Sequence, residues 1–166
     1  DERIALRRRA VAAFRAGRGL GAARARPAAN DRPASMNAKW FSRCIDDVTD
    51  DGTVLVNEYP LVLEELSLTR PGSYFANSPA GGLGWGLGAA LGIKLARPQA
   101  TVIAAVGDGA YMFGNPTPAH FVSRAAGLPV LFVLFNNRRW AAVHRSTLAM
   151  YPGGYAAKAE PPPFSS

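Results

Sequence analysis

Sulfur and imidazole side chains are scarce in this sequence, which has one cysteine and two histidines in 166 residues. The single cysteine, Cys44, cannot form a disulfide within the chain, and zinc sites built from four cysteines are excluded. Cysteines outside disulfides usually pack as small apolar side chains, so we expect Cys44 to be buried. This cysteine usage fits a reducing compartment, and we expect a cytoplasmic protein.

Long hydrophobic runs are also missing. No uninterrupted apolar stretch approaches the length of about 18 residues that a membrane-spanning helix needs. The arginine-rich beginning has neither the apolar stretch nor the cleavage site of a signal peptide. We therefore expect a soluble protein with no membrane partner. The first residue is Asp1 rather than methionine, which suggests a piece of a longer protein or a processed start.

The formal charge of +7 lies almost entirely at one end of the chain. Residues 1–36 hold nine arginines and three acidic side chains, whereas the other 130 residues hold ten basic and nine acidic ones. A basic arm can bind nucleic acid through phosphate contacts. This arm has no interleaved aromatic residue beyond Phe14 and no recognisable base-reading motif, which argues against that partner. We interpret residues 1–37 as a basic linker or mobile arm, with a short helix that ends near Gly17.

From Ala38 onward, strand patterns alternate with helix patterns. Continuous apolar runs are typical of strands buried on both faces of a parallel sheet, and apolar residues at three- and four-residue steps are typical of helices. This alternation indicates a doubly wound, mostly parallel α/β sheet with helices on both faces. We assign the domain to residues 38–160 and a tail to residues 161–166. The predicted helices are 40–48, 83–96 and 118–126, and the predicted strands are 53–56, 101–106 and 130–135.

Polar motifs follow two of the predicted buried strands, at the strand ends where such sheets bind ligands. Gly107-Asp108-Gly109 follows the strand at 101–106, and Asn136-Asn137 follows the strand at 130–135. The 26 residues from Ala110 to Phe135 are enough for a loop, a helix and a strand. We therefore expect the two strand ends to face one crevice.

The residue types in these motifs suit a magnesium ion that carries a diphosphate. Mg²⁺ prefers oxygen ligands and usually takes few carboxylates, which leaves positions for phosphate oxygens and water. Asp108 can supply a carboxylate oxygen, and Asn137 can supply an uncharged carbonyl oxygen. Gly107 and Gly109 let the backbone come close to an anion. Each motif alone is also common in ordinary loops, so the prediction depends on their joint occurrence after two strands.

The stretch from Val56 to Asn137, about half the chain, resembles the C-terminal domain of thiamine-diphosphate enzymes of the acetolactate synthase and benzoylformate decarboxylase type. Besides the two motifs, the segments 56–58 (VNE), 71–74 (PGSY) and 81–92 (GGLGWGLGAALG) are similar to that group. The resemblance implies the thiamine-diphosphate-binding fold, truncated at its C-terminal end. It implies thiamine diphosphate and Mg²⁺ as cofactors.

The resemblance also implies roles for individual residues. Asp108, the Asn137 side chain and the backbone carbonyl of Arg139 would bind Mg²⁺. Leu83 would lie beneath the thiazolium ring and force the two rings of the cofactor into a bent arrangement, although packing in a helix core is an alternative role for it. The residues expected around the cofactor are Glu58, Gly82, Leu83, Gly84, Gly107, Asp108, Gly109, Ala110, Tyr111 and Asn137.

By the same resemblance, the reaction would be decarboxylation of a 2-oxo acid, followed by aldehyde release or by joining of the product to a second carbonyl compound. In such enzymes a glutamate from a separate N-terminal pyrimidine-binding domain activates the cofactor, usually from a partner subunit of a homo-oligomer. No segment here resembles that domain, so we assign no catalytic residue and expect a complementing domain as partner. The alternative is a non-catalytic cofactor-binding fragment or partner module.

Two features stay open between a functional and an ordinary role. Arg138 and Arg139 could meet an acidic group of a substrate, or they could belong to a solvated helix start. His120 and His144 are candidates for proton donors near neutral pH, or for surface and packing residues.

Overall fold

The computed structural model describes residues 2–17, 36–76 and 80–159. Among these residues, no helix is both long and apolar enough to cross a membrane. The helices are α1 (Glu2–Gly17), α2 (Ala38–Asp47), α3 (Trp85–Ala96), α4 (Asp108–Phe113), α5 (Pro116–Ala125), α6 (Ala141–Met150) and α7 (Tyr155–Lys158), with a 3-10 helix at Leu63–Glu65. The strands are β1 (Thr53–Glu58), β2 (Tyr74–Ala76), β3 (Thr101–Gly107) and β4 (Leu131–Phe135).

The four strands form one sheet in the order β2-β1-β3-β4, and each neighbouring pair is parallel. The central strands are the most deeply buried, since all of β1 and residues 102–106 of β3 are buried. Helix α3 packs on these two strands. The prediction of a parallel α/β fold is confirmed. The apolar cluster between α3 and the sheet consists of Val56, Ala90, Val102, Ala104 and Val106.

Strand β4 departs from the sequence prediction in its burial. Its position agrees with the apolar run at 130–135, but Leu131 is 54% exposed and Leu134 is 39% exposed. The prediction of a second fully buried strand was therefore wrong. In the part of the chain that the structure describes, β4 is an edge strand of the sheet. Its side chains therefore have a neighbouring strand, β3, on one side only.

The chain divides into two compact units. One contains the described parts of Asp1–Asp51 and Leu61–Ser73, and the other contains those of Gly52–Pro60 and Tyr74–Ser166. The second unit holds the whole sheet and both sequence motifs. The proposed limits of arm, domain and tail stay predictions. The short helix predicted near the start of the chain is confirmed by α1, whose last residue is Gly17.

In the first unit, α2 confirms the helix predicted at 40–48 but leaves Cys44 outside its buried face. Phe41, Ser42 and Ile45 are buried, whereas Cys44 is exposed. The expectation of a buried Cys44 was wrong. Successive residues of a helix are about 100° apart, which places Cys44 roughly a quarter turn from the middle of the buried face. Ser42 lies on that face instead.

Candidate functional site

The carboxyl ends of β1, β3 and β4 lie side by side at one edge of the sheet. Glu58 at the end of β1 pairs with Val106 of β3, and Gly107 at the end of β3 pairs with Phe135 at the end of β4. Asp108 and the Asn136-Asn137 pair therefore emerge from neighbouring positions. The adjacency of the two strand ends, expected from the spacing of the motifs, is confirmed.

Asp108 begins α4 directly after β3, where the sequence predicted a loop before the next helix. The residue is 9% exposed. Its Oδ1 atom is enclosed and accepts no hydrogen bond from the described residues. Asp108 as a whole is not without a partner, since it makes another polar or electrostatic contact. The space beside Gly107 is open, since a Cβ atom built there would have no other atom within 4 Å. A carboxylate and an accessible stretch of backbone thus adjoin at this strand end.

The loop after β4 is shaped by its own asparagine side chains. Oδ1 of Asn136 accepts a hydrogen bond from the backbone N–H of Arg138 at 3.1 Å, and Oδ1 of Asn137 accepts one from Arg139 at 2.9 Å. Such bonds from an asparagine to the residue two positions on form local turns. Arg138 accordingly adopts a left-handed backbone, with φ of 53°. Both asparagines are exposed, and an amide oxygen with one hydrogen bond keeps a second lone pair for a ligand.

Trp140 connects this loop to the start of α4. A Cβ atom built on Gly109 would lie 3.0 Å from the indole ring, so the ring packs directly on the glycine backbone. The same ring meets Phe113 edge to face, with 6.4 Å between ring centroids. Trp140 therefore holds together the two segments that carry the motifs. The sequence reasoning gave it no such role, because its proximity to Gly109 appears only in three dimensions.

Replacing Trp140 with alanine should destabilise this connection. Removal of a partly buried indole leaves Gly109 and Phe113 without their packing partner, and we expect a loss of about 2 kcal/mol, below the loss for a fully buried tryptophan. Urea denaturation followed by circular dichroism measures the change. The Trp140→Phe variant keeps an aromatic ring and should lose less. Equal stability of the alanine variant and the wild type would contradict a connecting role for the ring.

The segment Gly82-Leu83-Gly84 leads into α3, and its last residue packs against the end of α4. Gly84 has φ of 82°, a conformation that L side chains rarely adopt. A Cβ atom on Gly84 would lie 2.4 Å from the Cα atom of Gly114, the residue that ends α4. Two glycines therefore let the start of α3 meet the end of α4 through their backbones. Leu83, just before this contact, is half-buried.

Glu58 anchors the same segment from the end of β1. Its side chain is 1% exposed, and Oε1 accepts a hydrogen bond from the backbone N–H of Gly84 at 2.7 Å. Oε2 accepts a second bond, from the N–H of Gly86, also at 2.7 Å. Glu58 was expected beside the cofactor, and the structure places both of its carboxylate oxygens on the backbone at the start of α3.

Two further residues expected around the cofactor follow Asp108 within α4. Ala110 is buried, and Tyr111 is half-buried with its hydroxyl 2.6 Å from Nε2 of His120. The His120 ring also meets Phe132 edge to face, at 5.1 Å between centroids. These contacts favour the packing role for His120. His144 lies half-buried in α6.

Clusters of the most common metal-binding side chains do not occur in residues 2–17, 36–76 and 80–159, where no three His, Cys, Asp or Glu residues are placed to hold an ion. The oxygen donors at the edge of the sheet are of mixed type. They comprise one carboxylate at Asp108, the amide oxygen of Asn137 and backbone carbonyls of the loop. Any ion held here would therefore be bound by hard oxygen atoms with few charges.

Comparison with known sequences identifies relatives of this chain. Residues 58–165 match the family described as "Thiamine pyrophosphate enzyme, C-terminal TPP binding domain". The chain is 36% identical over 80 residues to benzoylformate decarboxylase of Pseudomonas aeruginosa, an alignment that covers 48% of this chain and 15% of that protein. It is 37% identical over 82 residues to the acetolactate synthase isozyme 2 large subunit of Escherichia coli, covering 49% of this chain and 15% of that protein.

Solved structures contain the same fold. The thiamine diphosphate-dependent 4-hydroxybenzoylformate decarboxylase of Rhodococcus jostii superposes with a TM-score of 0.66 at 25% sequence identity. The superposition covers 81% of this chain and 25% of the Rhodococcus chain. The chain thus spans a quarter of that structure, and its alignments span 15% of the length of the two curated relatives.

Proposed function

This chain belongs to the thiamine pyrophosphate enzymes, as a C-terminal cofactor-binding domain, and on that basis we propose that it binds thiamine diphosphate through Mg²⁺ at the carboxyl edge of its sheet. Thiamine pyrophosphate and thiamine diphosphate are two names for one compound. The observation that carries the proposal is the pairing of Gly107 with Phe135, which brings Asp108 next to the Asn136-Asn137 loop.

The proposed ligands of Mg²⁺ are Asp108, the side chain of Asn137 and the backbone carbonyl of Arg139. All three donors are oxygen atoms, which Mg²⁺ prefers. Only Asp108 carries a charge, so a diphosphate meets little repulsion from the ligands. The hydrogen bond from Arg139 to the amide oxygen of Asn137 leaves that oxygen a free lone pair for the ion. The chemistry of these donors therefore fits the proposed ion.

The backbone near Asp108 is proposed to surround the diphosphate. Gly107 leaves open space beside its Cα atom, where the anion can approach the backbone. The corresponding side of Gly109 is covered by Trp140, so that face is closed to the cofactor. Ala110 and Tyr111 complete the proposed diphosphate site. Gly82, Leu83 and Gly84 would form the thiazolium end.

Bound thiamine diphosphate supplies the chemistry that decarboxylates 2-oxo acids. The relatives are a decarboxylase and an acetolactate synthase by name, which supports a 2-oxo acid as the substrate of the assembled enzyme. Within such an enzyme this chain binds and orients the cofactor, and Leu83 supports the thiazolium ring. A complementing pyrimidine-binding domain, a homo-oligomeric assembly and a cytoplasmic location belong to the same proposal.

Magnesium-dependent binding of thiamine diphosphate tests the proposed site. We expect an NMR titration of the 166-residue chain to show cofactor-induced shifts at Gly107, Asp108 and Asn137 with Mg²⁺ present. The same titration in EDTA should show none, because without the cation the Asp108 carboxylate repels the diphosphate. NMR also detects weak binding, which suits a site without its complementing domain. A folded chain that gives no shifts in Mg²⁺ would refute the proposal.

A cofactor-binding module without catalysis is the second candidate function. It rests on the 166 residues of this chain, in which no segment resembles the domain that supplies the activating glutamate in such enzymes. Addition of the separately produced N-terminal domain of the Pseudomonas benzoylformate decarboxylase, with a 2-oxo acid, distinguishes the two. Release of carbon dioxide would support the enzyme, whereas cofactor binding without release would support the module.

A further inference from the structure

Glu58 is more deeply buried than Asp108, at 1% against 9% exposure, although its carboxylate lies in the same edge of the sheet. We infer that Glu58 is a positioning residue, which fixes the turn that carries Leu83 and makes no contact with the cofactor itself. The inference rests on the proposed function, because it assigns Glu58 to the thiazolium end of that site.

The hydrogen bonds of Glu58 account for both of its oxygens. Oε1 bonds the N–H of Gly84 and Oε2 bonds the N–H of Gly86, each at 2.7 Å. N–H groups in the first turn of a helix have no partner within the helix. Gly84 precedes α3 as its N-cap and has no side chain to accept from them. The carboxylate therefore caps α3 from another strand, and charged acceptors make the stronger hydrogen bonds.

Gly86 supplies the space that this cap requires. A Cβ atom on Gly86 would lie 2.9 Å from Oε2 of Glu58 and 3.3 Å from the Cβ atom of Glu58. It would also lie 3.1 Å from Cγ1 of Val106. Any larger residue would push the carboxylate away from the start of α3. The hydrogen bonds of Glu58 therefore require glycine at position 86.

The cap restricts the backbone at Leu83. Gly84, the next residue, is bonded to Glu58 through its N–H and packs against the backbone of Gly114. With its neighbour held from two sides, Leu83 has little freedom to shift. Glu58 therefore sets the position of the side chain proposed to support the thiazolium ring. Asp108 lies at the opposite end of α4 from the contact with Gly114, so we expect the diphosphate end to be disturbed less than Leu83 when this hydrogen bond is lost.

This separation between the two ends of the site provides a test with the Glu58→Gln variant. Glutamine presents an NH₂ group to one of the two backbone donors, so one hydrogen bond is lost and the turn is freed. We expect thiamine diphosphate with Mg²⁺ to bind about tenfold more weakly, because binding must then order a turn that the wild type holds in place before the ligand arrives. Inorganic diphosphate with Mg²⁺ should bind as in the wild type. Both affinities are measured by NMR titration of the full chain.

A matched control and a second variant define the outcome. Glu64→Gln makes the same chemical change at an exposed glutamate of the 3-10 helix and should alter neither affinity. Gly86→Ala keeps the charge of Glu58 but displaces it, so it should reproduce the selective loss if Glu58→Gln does not fold. Equal weakening of both ligands would mean that Glu58 contacts the diphosphate. Unchanged binding of thiamine diphosphate in a folded Glu58→Gln variant would overturn the inference.

Amide hydrogen exchange separates failure of this inference from failure of the proposed function. Without any ligand, the N–H group of Gly84 or of Gly86, whichever faces the amide NH₂ of the glutamine, should exchange faster in Glu58→Gln than in the wild type, because it loses its acceptor. If the wild-type chain binds no thiamine diphosphate, the proposed function fails, and exchange still reports on the cap. Unchanged exchange at both glycines would overturn the positioning role by itself.

Discussion

Replacing Asp108 with alanine should abolish the magnesium-dependent binding of thiamine diphosphate. Asp108 is the only carboxylate among the three proposed ligands, and without it the ion would face neutral oxygens that compete poorly with water. We expect the affinity for the cofactor in Mg²⁺ to fall about a hundredfold or more, since each factor of ten corresponds to 1.4 kcal/mol. The NMR titration that establishes wild-type binding measures this loss, and circular dichroism verifies that the variant is folded.

A second aspartate provides the control for this experiment. Asp51 is exposed in a turn before β1, and Asp51→Ala removes the same carboxylate group from a place with no proposed ligand role. Its affinity for thiamine diphosphate should equal that of the wild type. Wild-type affinity in a folded Asp108→Ala variant would show that the assignment of the metal site is wrong.

The largest effect on stability is expected at Gly84. Alanine there would have to adopt φ of 82° and place its Cβ atom 2.4 Å from the Cα atom of Gly114. The obstacle is backbone rather than a flexible side chain, so α3 and α4 would have to move apart. Positive φ and overpacking each cost on the order of 1–3 kcal/mol, and we expect a loss of about 3 kcal/mol in the free energy of unfolding. Urea denaturation measures it.

Gly92→Ala is the control for Gly84→Ala, because Gly92 lies in the interior of α3. A Cβ atom on Gly92 would meet no other atom within 4 Å, and the residue is exposed. Alanine favours the helix over glycine by about 1 kcal/mol, so Gly92→Ala should stabilise the chain. The two substitutions are chemically identical, and we expect changes of opposite sign. A Gly84→Ala variant as stable as the wild type would rule out the close approach of α3 and α4.

The parts of the fold that the sequence predicted correctly have strong local patterns. The run at 101–106 became β3 because a strand covered on both faces needs apolar residues at every position. The run at 130–135 looks the same in sequence, yet β4 is partly exposed. A local pattern records the residue types of a strand, but the neighbours that cover it come from elsewhere in the chain. The three residues of β2 are too few to form any pattern.

In the site, too, the sequence predicted what depends on neighbouring residues and missed contacts between residues far apart in the chain. Asp108 and Asn137 were identified because each follows a strand, and the parallel register then brings their strand ends together. The contacts of Glu58 with Gly84 and Gly86 join residues 26 and 28 positions apart. Nothing near Glu58 in the sequence indicates that its partners are backbone N–H groups. The roles of the site residues toward the cofactor stay predictions until binding is measured.

The order of strands also has a consequence for how the chain folds. A hairpin joins two antiparallel strands, and all three neighbouring pairs of this sheet are parallel. The paired residues are therefore far apart in the sequence, as when Thr53 pairs with Thr101. Such pairings close long loops before they gain any stabilising contact, and sheets of this kind fold slowly. The edge that carries Asp108 and Asn137 cannot form before β3 and β4 have paired. The cofactor would therefore bind only molecules in which β3 and β4 have paired, and its binding would raise the barrier to separating these two strands.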